Sequence, residues 1–434
     1  MSAVTQQLKH IDVLVIGAGP TGSTAALHAA QQGYSVLLCD SATFPRDKTC
    51  GDGLTPRALR QLRELGLDAH LLPSYRNKGL KLHGFGGSVT ASWPEGRFGS
   101  EGSAMARRDF DHALLREAHA RGSEWAPGAP AQDVELDGGR IREVRVGNTR
   151  VRPAVTLVCD GVRSTVGKAL GRTWHREEVY GIAARSYCAT PRAGEPWIHS
   201  HLELRTEDGE LQPGYGWIFP LGGEDGHANV GCGALSTLAR PAKVNTKKLL
   251  EFYASQQRAE WEFGAPEHVS SALLPMGGAV SRVAGPNWML LGDAAALVNP
   301  LNGEGIDYGM ESAELALSLL AESAPAGRMR AESLDLSEAW PATLRETFGE
   351  AFLLARTLAR ALTHPRFLPI TGPLALRGPI GAAIMPAAAR LMGNLITEED
   401  KDLVARLWRA SGRGLRGWEE LRRRLGREEQ PLWG

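Results

Sequence analysis

Short apolar runs, each closed by glycine, proline or a polar residue, recur along the whole 434-residue chain. The first, residues 11–16, predicts a buried strand. The spacing then predicts an alanine-rich helix from about 20 to 32, stopped by Gly33, and a second strand over 35–39. Residues 44–56 read as loop, with Pro45, Gly51, Gly53 and Pro56 as punctuation, before a helix over about 57–65. Residues 78–95 read as β structure, and 105–120 as a helix with Phe110, Leu114, Leu115 and Ala118 on one face. Short strands follow from about 130 to 160, turning at Gly138–Gly139 and ending in an apolar run, 155–159. Residues 180–235 are strand-rich, centred on 214–220 and 227–233, before a helix over 243–258. A strand at 289–291 and a long helix running into Leu320 complete the pattern.

The opening β–α–β unit carries chemistry. Gly17, Gly19 and Gly22 stand at the spacing G-x-G-x-x-G, with Pro20 at the helix start. Gly17 permits the tight turn, Gly19 lets a pyrophosphate reach the backbone, and Gly22 lets helix and strand pack closely. The helix N-terminus offers free N–H groups and positive dipole to phosphate. Asp40 lies 18 residues after Gly22, where a carboxylate can accept from a ribose hydroxyl. A bound dinucleotide accounts for strand, helix, second strand and acid in that order.

Net charge is zero, so the overall balance does not point to nucleic acid. The five cysteines (Cys39, Cys50, Cys159, Cys188 and Cys232) form no C-x-x-C pair and no metal-ligand spacing. Their odd number, with no export segment before the first strand, predicts a reduced, cytoplasmic protein. No run approaches the ~20 apolar residues that span a bilayer. The length predicts two or three domains with ample core.

Three further stretches stand out. Cys50 sits between Lys48 and Gly51-Asp52-Gly53, where cations and loop N–H groups favour a thiolate; simple packing is the bland alternative. Arg107 and Arg108 open a helix whose dipole they oppose, so one is a candidate anion ligand. Residues 288–316 repeat the opening logic: a strand ends in Gly292-Asp293, and Gly303-Glu304-Gly305-Ile306 opens a helix. Toward the C-terminus, residues 351–397 hold five arginines and no acid among apolar runs broken by proline. That composition fits a greasy, basic surface on an anionic bilayer as well as it fits ordinary core helices. Residues 406–429 read as a solvated basic helix.

Taken together, the glycine triplet, Cys159-Asp160-Gly161 and Gly292-Asp293 resemble the aromatic-hydroxylase-like flavoproteins. Within that fold, residues 44–58, Arg107-x-x-Phe110-Asp111, Tyr215-x-Trp217-x-Phe219-Pro220 and residues 300–306 resemble the geranylgeranyl reductase family. The cysteine loop and residues 76–80 are similar to those of actinobacterial menaquinone reductases. Pro213 stands two residues before Tyr215, where many members place a proline three before. The resemblance implies an α/β fold with a Rossmann-like FAD domain, an inserted antiparallel β-sheet substrate domain and a helical C-terminal region. The expected divisions are 1–75, 102–180 and 276–345 for FAD, 76–101 and 181–275 for substrate, and 346–434 for the helices.

By the same resemblance, FAD is bordered by Gly17, Gly19, Pro20, Gly22, Asp40, Arg46, Cys50, Gly51, Asp52, Gly53, Leu54, Arg107, Asp160, Gly161, Gly292, Asp293, Gly303, Glu304, Gly305 and Ile306. Cys50, Tyr215 and Trp217 are the catalytic candidates. Tyr215 and Trp217 alternate on a strand, so both face one side, either a shared core or a lipid tunnel. The implied activity saturates a C=C bond of an isoprenoid chain, in the menaquinone tail, at the inner face of the membrane. No second G-x-G-x-x-G is present, so NADPH would dock transiently, or another reductant would serve. The competing activities are flavin monooxygenase or halogenase, and a non-catalytic prenyl-lipid carrier. A halogenase W-x-W-x-I-P is absent.

Overall fold

The computed structural model describes residues 8–72, 75–223, 226–327, 329–378, 390, 395–396, 406, 409–414 and 432–434. Five parallel strands form the centre of an eight-stranded sheet, in the order Trp288–Leu290, Thr149–Val158, Leu8–Ile16, Val36–Cys39, Glu124–Ala126. Val13, Leu14, Val15, Val155 and Leu157 are fully buried. Burial on both faces explains why these strands read as unbroken apolar runs instead of alternating ones. The Pro20–Gln31 helix buries Ala25, Ala26 and Ala29 and lies close to the Ile306–Ser323 helix. A Cβ on Gly309 would come within 2.3 Å of Thr21 Oγ1, so that contact requires glycine.

The register brings the chemistry to one edge. Ile16 pairs with both Cys39 and Val158, and Val158 pairs with Leu290. The residues just beyond these carboxyl ends are Gly17, Asp40, Cys159-Asp160 and Leu291-Gly292-Asp293. Three stretches far apart in sequence therefore meet in the crevice where open parallel sheets bind ligands.

A second sheet has seven strands, in the order Glu267–Pro275, Tyr180–Ala189, His227–Ser236, Gly214–Pro220, Ile198–His201, Gly79–Gly84, Gly87–Ser92. It is antiparallel except where Ile198–His201 runs parallel to Gly79–Gly84. One face packs on the Thr246–Trp261 helix, burying Ile218, Val230 and Cys232 against Leu250, Tyr253 and Trp261. Gly216 faces that helix, where a Cβ would meet the Tyr253 ring at 2.4 Å. Tyr215, Trp217 and Phe219 point to the other face.

Some element bounds differ from the sequence reading. The helix expected over 105–120 begins at Arg107, and the one expected over 243–258 runs Thr246–Trp261. The Asn245 side chain sets the latter start by accepting from the N–H groups of Lys247 and Lys248. Within the loop at 44–56, Gly53–Leu54 pairs with Ser103–Ala104. Pro213 does not displace the aromatic strand, which begins at Gly214. Helices Ala339–Leu362 and Phe367–Leu376 follow, and Trp433 Nε1 donates to the Ala295 carbonyl at 2.8 Å. Much of 379–397 and most of 406–429, the surface and helix expected there, lie outside the described residues.

Candidate flavin and lipid site

At the first turn the glycines do separate jobs. Gly17 has φ +101°, and a Cβ there would lie 2.3 Å from the Cys159 carbonyl oxygen. On Gly22 it would lie 1.7 Å from the Gly17 oxygen. Gly19 is different: its nearest neighbours would be the guanidinium nitrogens of Arg46 at 3.6 Å and Arg107 at 3.8 Å. No side chain caps the Pro20–Gln31 helix, whose N–H groups therefore face the same space. Uncapped amides, a bare glycine and two guanidinium groups make a site for a pyrophosphate.

The arginines are held by one acid. Asp111 accepts from Arg107 Nε at 2.6 Å and Nη2 at 2.9 Å, and from Arg46 Nη1 at 2.9 Å. Arg107 is buried and Arg108 exposed, so the helix start offers one anion ligand and one solvated cation. Asp111 stands one helical turn after Arg107, which the R-x-x-F-D spacing already contained.

The three sheet-edge acids differ in how they are occupied. Asp40 accepts from the N–H groups of Ala18 and Ala42, both at 2.8 Å. It braces the glycine turn and keeps lone pairs for a hydroxyl. Asp160 accepts from Val166 N–H at 2.9 Å through Oδ2, while Oδ1 is buried without a partner. Burial raises its pKa. Asp293 follows Gly292, whose φ is +56° and whose Cβ would strike Thr21 Oγ1 at 2.4 Å. An orphaned carboxylate oxygen beside a phosphate cradle fits a polyhydroxyl cofactor whose O–H groups can donate to it.

Cys50 does not have the environment expected from its neighbours. Burial raises its thiol pKa, and Arg107, which opposes this, is outweighed. The expectation of a thiolate is therefore corrected: desolvation of sulfur exceeds the attraction of the nearby cation. Asp52, at φ +64° in the same loop, is fully buried. Its carboxylate accepts from Tyr187 OH at 2.7 Å, Asn229 Nδ2 at 2.8 Å and Arg107 N–H at 3.3 Å. Burial nevertheless pushes its pKa up to about 6. Arg185 adds a second tie by donating to Asp47 and to the Lys48 carbonyl.

A cavity of about 450 Å³ extends from this loop and from residues 300–307 to the second sheet, and reaches Leu358, Leu362, Phe367 and Leu368. Cys50, Gly51, Gly53, Leu54, Gly303, Gly305 and Ile306 border it. Gly303 has φ +76°, a Cβ there would meet only the Met276 methyl at 3.8 Å, and no side chain caps the Ile306–Ser323 helix at Gly305. Tyr215 and Trp217 both line the cavity, with ring centroids 5.9 Å apart. Trp217 pairs across the sheet with Gly231, where a Cβ would lie 2.1 Å from the indole. The glycines of the 227–233 stretch thus make room for the aromatic rings. Trp217 Nε1 donates to Asn229 Oδ1 at 2.9 Å, and Tyr215 OH donates to the Asn302 carbonyl. The sequence reading missed Asn229, Tyr187 and Arg185. The available signal was Asn229, a polar side chain inside the strand His227–Ser236 and flanked by Ala228 and Val230.

The FAD binding domain family matches residues 10–335. The chain is 51% identical over 404 residues to a menaquinone reductase of Mycobacterium tuberculosis, covering 92% of this chain and 95% of that one. It is 28% identical over 343 residues to a digeranylgeranylglycerophospholipid reductase of Methanopyrus kandleri, covering 78% and 88%. A geranylgeranyl bacteriochlorophyll reductase-like structure from Thermoplasma acidophilum superposes with a TM-score of 0.72 at 21% identity, covering 88% of this chain and 96% of that one. With the flavin-type crevice and the lipid-sized cavity in one structure, these matches establish that the chain belongs to the FAD-binding reductase family that includes the menaquinone reductases.

Proposed function

We propose that this protein is an FAD-dependent reductase that saturates one isoprene unit in the tail of menaquinone. The observation that carries the reading is the cavity, which joins the crevice at the sheet edge to the apolar face of the second sheet. FAD, when bound, supplies the hydride for the carbon–carbon double bond. The protein's part is to bind, orient and exclude water. Gly17, Gly19, Pro20 and Gly22 with Arg46 and Arg107 would hold the pyrophosphate, while Asp40, Asp160 and Asp293 would accept from hydroxyl groups. Gly161 and Gly292 give these acids their turns, at φ +75° and +56°. Residues 303–306 would offer backbone N–H groups to the ring, and Cys50–Leu54, which border the same cavity, would contact it.

Tyr215 and Trp217 line the tail-binding space. An isolated trisubstituted alkene acquires tertiary cation character if protonated, and aromatic faces stabilise such charge by about 0.5–2 kcal/mol each. Cys50 contributes a neutral thiol to the same wall. The residues at 76–101 and 181–275 carry the substrate and those at 1–75, 102–180 and 276–345 the cofactor. NADPH, docking transiently, or another electron carrier would supply the electrons to the flavin. Rapid anaerobic bleaching by NADPH would support this donor, whereas no bleaching would require another.

Leu358, Ile370 and Leu374 are exposed near the helices that line the cavity. They set the tail entrance against the inner face of the cell membrane, within the 351–397 surface. No helix among the described residues is long and apolar enough to cross a membrane. Mass spectrometry of lipids from cells with and without the chain tests the whole reading. A chain-dependent gain of two hydrogens on the menaquinone tail is expected. Unchanged quinones would overturn the substrate.

A further inference from the structure

The loop that opens the Ile306–Ser323 helix carries an acid whose side chain has no role so far. Glu304 borders the cavity, and its Oε2 is buried with no hydrogen-bond partner among the described residues. One turn on, Asp307 is buried and well supplied. Its Oδ2 accepts from Thr55 Oγ1 at 3.1 Å and its Oδ1 from the Tyr308 N–H at 2.8 Å. The Arg57 guanidinium also favours charge on Asp307. Arg57 is itself held by Glu311 through two bonds of 2.6 and 2.9 Å.

The two carboxyls interact directly, and both cannot ionise cheaply in a buried setting. Asp307 has donors for both oxygens, whereas Glu304 Oε2 has none. A buried carboxylate with one oxygen undonated is less favourable than the neutral acid, so the proton resides on Glu304, although the Asn302 side chain also hydrogen-bonds to it. Burial first, and repulsion by Asp307 second, hold Glu304 well above the usual carboxylate range. The acid also stands beside the aromatic wall. Tyr215 OH donates to the carbonyl of Asn302, two residues before it, and Glu304 is the charged group that most affects Tyr215.

We propose that Glu304 is the proton donor for isoprenoid reduction, a catalytic role that rests on the reductase reading. The alkene π pair forms a C–H bond to the Glu304 proton at the less substituted carbon. The tertiary carbon left electron-deficient is closed by a hydride from the reduced flavin, which carries both electrons. The substrate gains two hydrogens, and the Glu304 carboxylate recovers its proton from solvent. An ordinary glutamate is ionised at neutral pH and has no proton to give; this one retains it because of where it sits.

Two measurements on FAD-loaded protein test the assignment. Infrared spectra at pH 7 in H₂O and D₂O should show the C=O stretch of a protonated, exchange-sensitive carboxylic acid that disappears in Glu304→Gln. This readout requires no turnover, and its wild-type half stands even if the variant loads FAD poorly. Dithionite-reduced protein is then mixed anaerobically with menaquinone in detergent, and saturated product is counted. Glu304→Gln should lose roughly 100-fold or more, the usual scale for a general acid, with FAD content unchanged. Absence of the infrared band, or product from the variant within a few-fold of wild type, would overturn the donor role alone. No product from wild type would overturn the reductase reading and the donor role with it.

Discussion

Asn229 Nδ2 donates to Asp52 Oδ2 at 2.8 Å, while its Oδ1 accepts the Trp217 indole N–H at 2.9 Å. One amide therefore locks the aromatic strand to the cysteine loop, and the same Nδ2 also reaches the Cys50 carbonyl at 2.8 Å. Replacing it by Leu would take their side-chain partner from the buried indole N–H and the Cys50 carbonyl, at about 1–3 kcal/mol for each group left unpaired, and would leave Asp52 with Tyr187 and Arg107 as its donors. Asn229→Leu should lower the melting temperature and reduce turnover more than it reduces FAD content. Unchanged turnover would show that the Trp217 ring is positioned by packing alone.

Asp52 gives the protein a pH dependence whose sign follows from its environment. Burial raises its pKa from 3.8 to about 6, outweighing the hydrogen bonds from Tyr187 and Asn229. Between about pH 4 and 6 the folded protein holds this proton and the unfolded chain does not. Stability from this group therefore falls as pH rises through that window and is level above it. The difference is on the order of 3 kcal/mol. Denaturant midpoints measured from pH 4 to 7 should fall less steeply in Asp52→Asn than in wild type, the remaining slope coming from the other buried acids, Glu304 and Asp160. A slope identical to that of wild type would assign the titration to those groups alone.

The glycine turn separates packing from binding. A Cβ on Gly22 meets backbone at 1.7 Å, so Gly22→Ala must push the helix off the strand, with a destabilisation of about 1–3 kcal/mol or more. A Cβ on Gly19 meets only guanidinium groups at 3.6 and 3.8 Å. Gly19→Ala should therefore fold with an unchanged apoprotein melting temperature and bind FAD weakly. Equal loss of stability in both variants would contradict this division.

Local signals made the parallel sheet legible: unbroken apolar strands, an alanine helix, and acids placed just past strand ends. The register that lines up Ile16, Cys39, Val158 and Leu290 follows from those same runs. What stayed hidden was set by tertiary contact. The ionisation of Cys50 depends on how much water reaches the sulfur, and composition cannot count that. Asn229 and Tyr187 reach Asp52 from strands more than a hundred residues away, so no spacing rule could pair them. Gly231 lies in the strand expected over 227–233, but its reason for being glycine is tertiary: the Trp217 indole fills the space a side chain would take.

The helix Phe367–Leu376 presents two surfaces at once. Leu368 lines the cavity, while Ile370 and Leu374, one turn apart, are 64% and 58% exposed. Leaving two large apolar groups in water beside a lipid-sized opening is unfavourable unless something apolar covers them. Burying both in the acyl boundary of a membrane would contribute roughly 3 kcal/mol, about a hundredfold in partitioning. Arg366 and Arg377 flank the helix and suit an anionic lipid surface. Ile370→Ser combined with Leu374→Ser should therefore abolish flotation with phosphatidylglycerol vesicles. Turnover of a short-tailed, detergent-dispersed quinone should remain near wild type, because neither side chain borders the cavity. If the double variant still floats, the membrane contact lies elsewhere on the chain. If short-tail turnover also collapses, these residues support the cavity wall instead of the membrane contact.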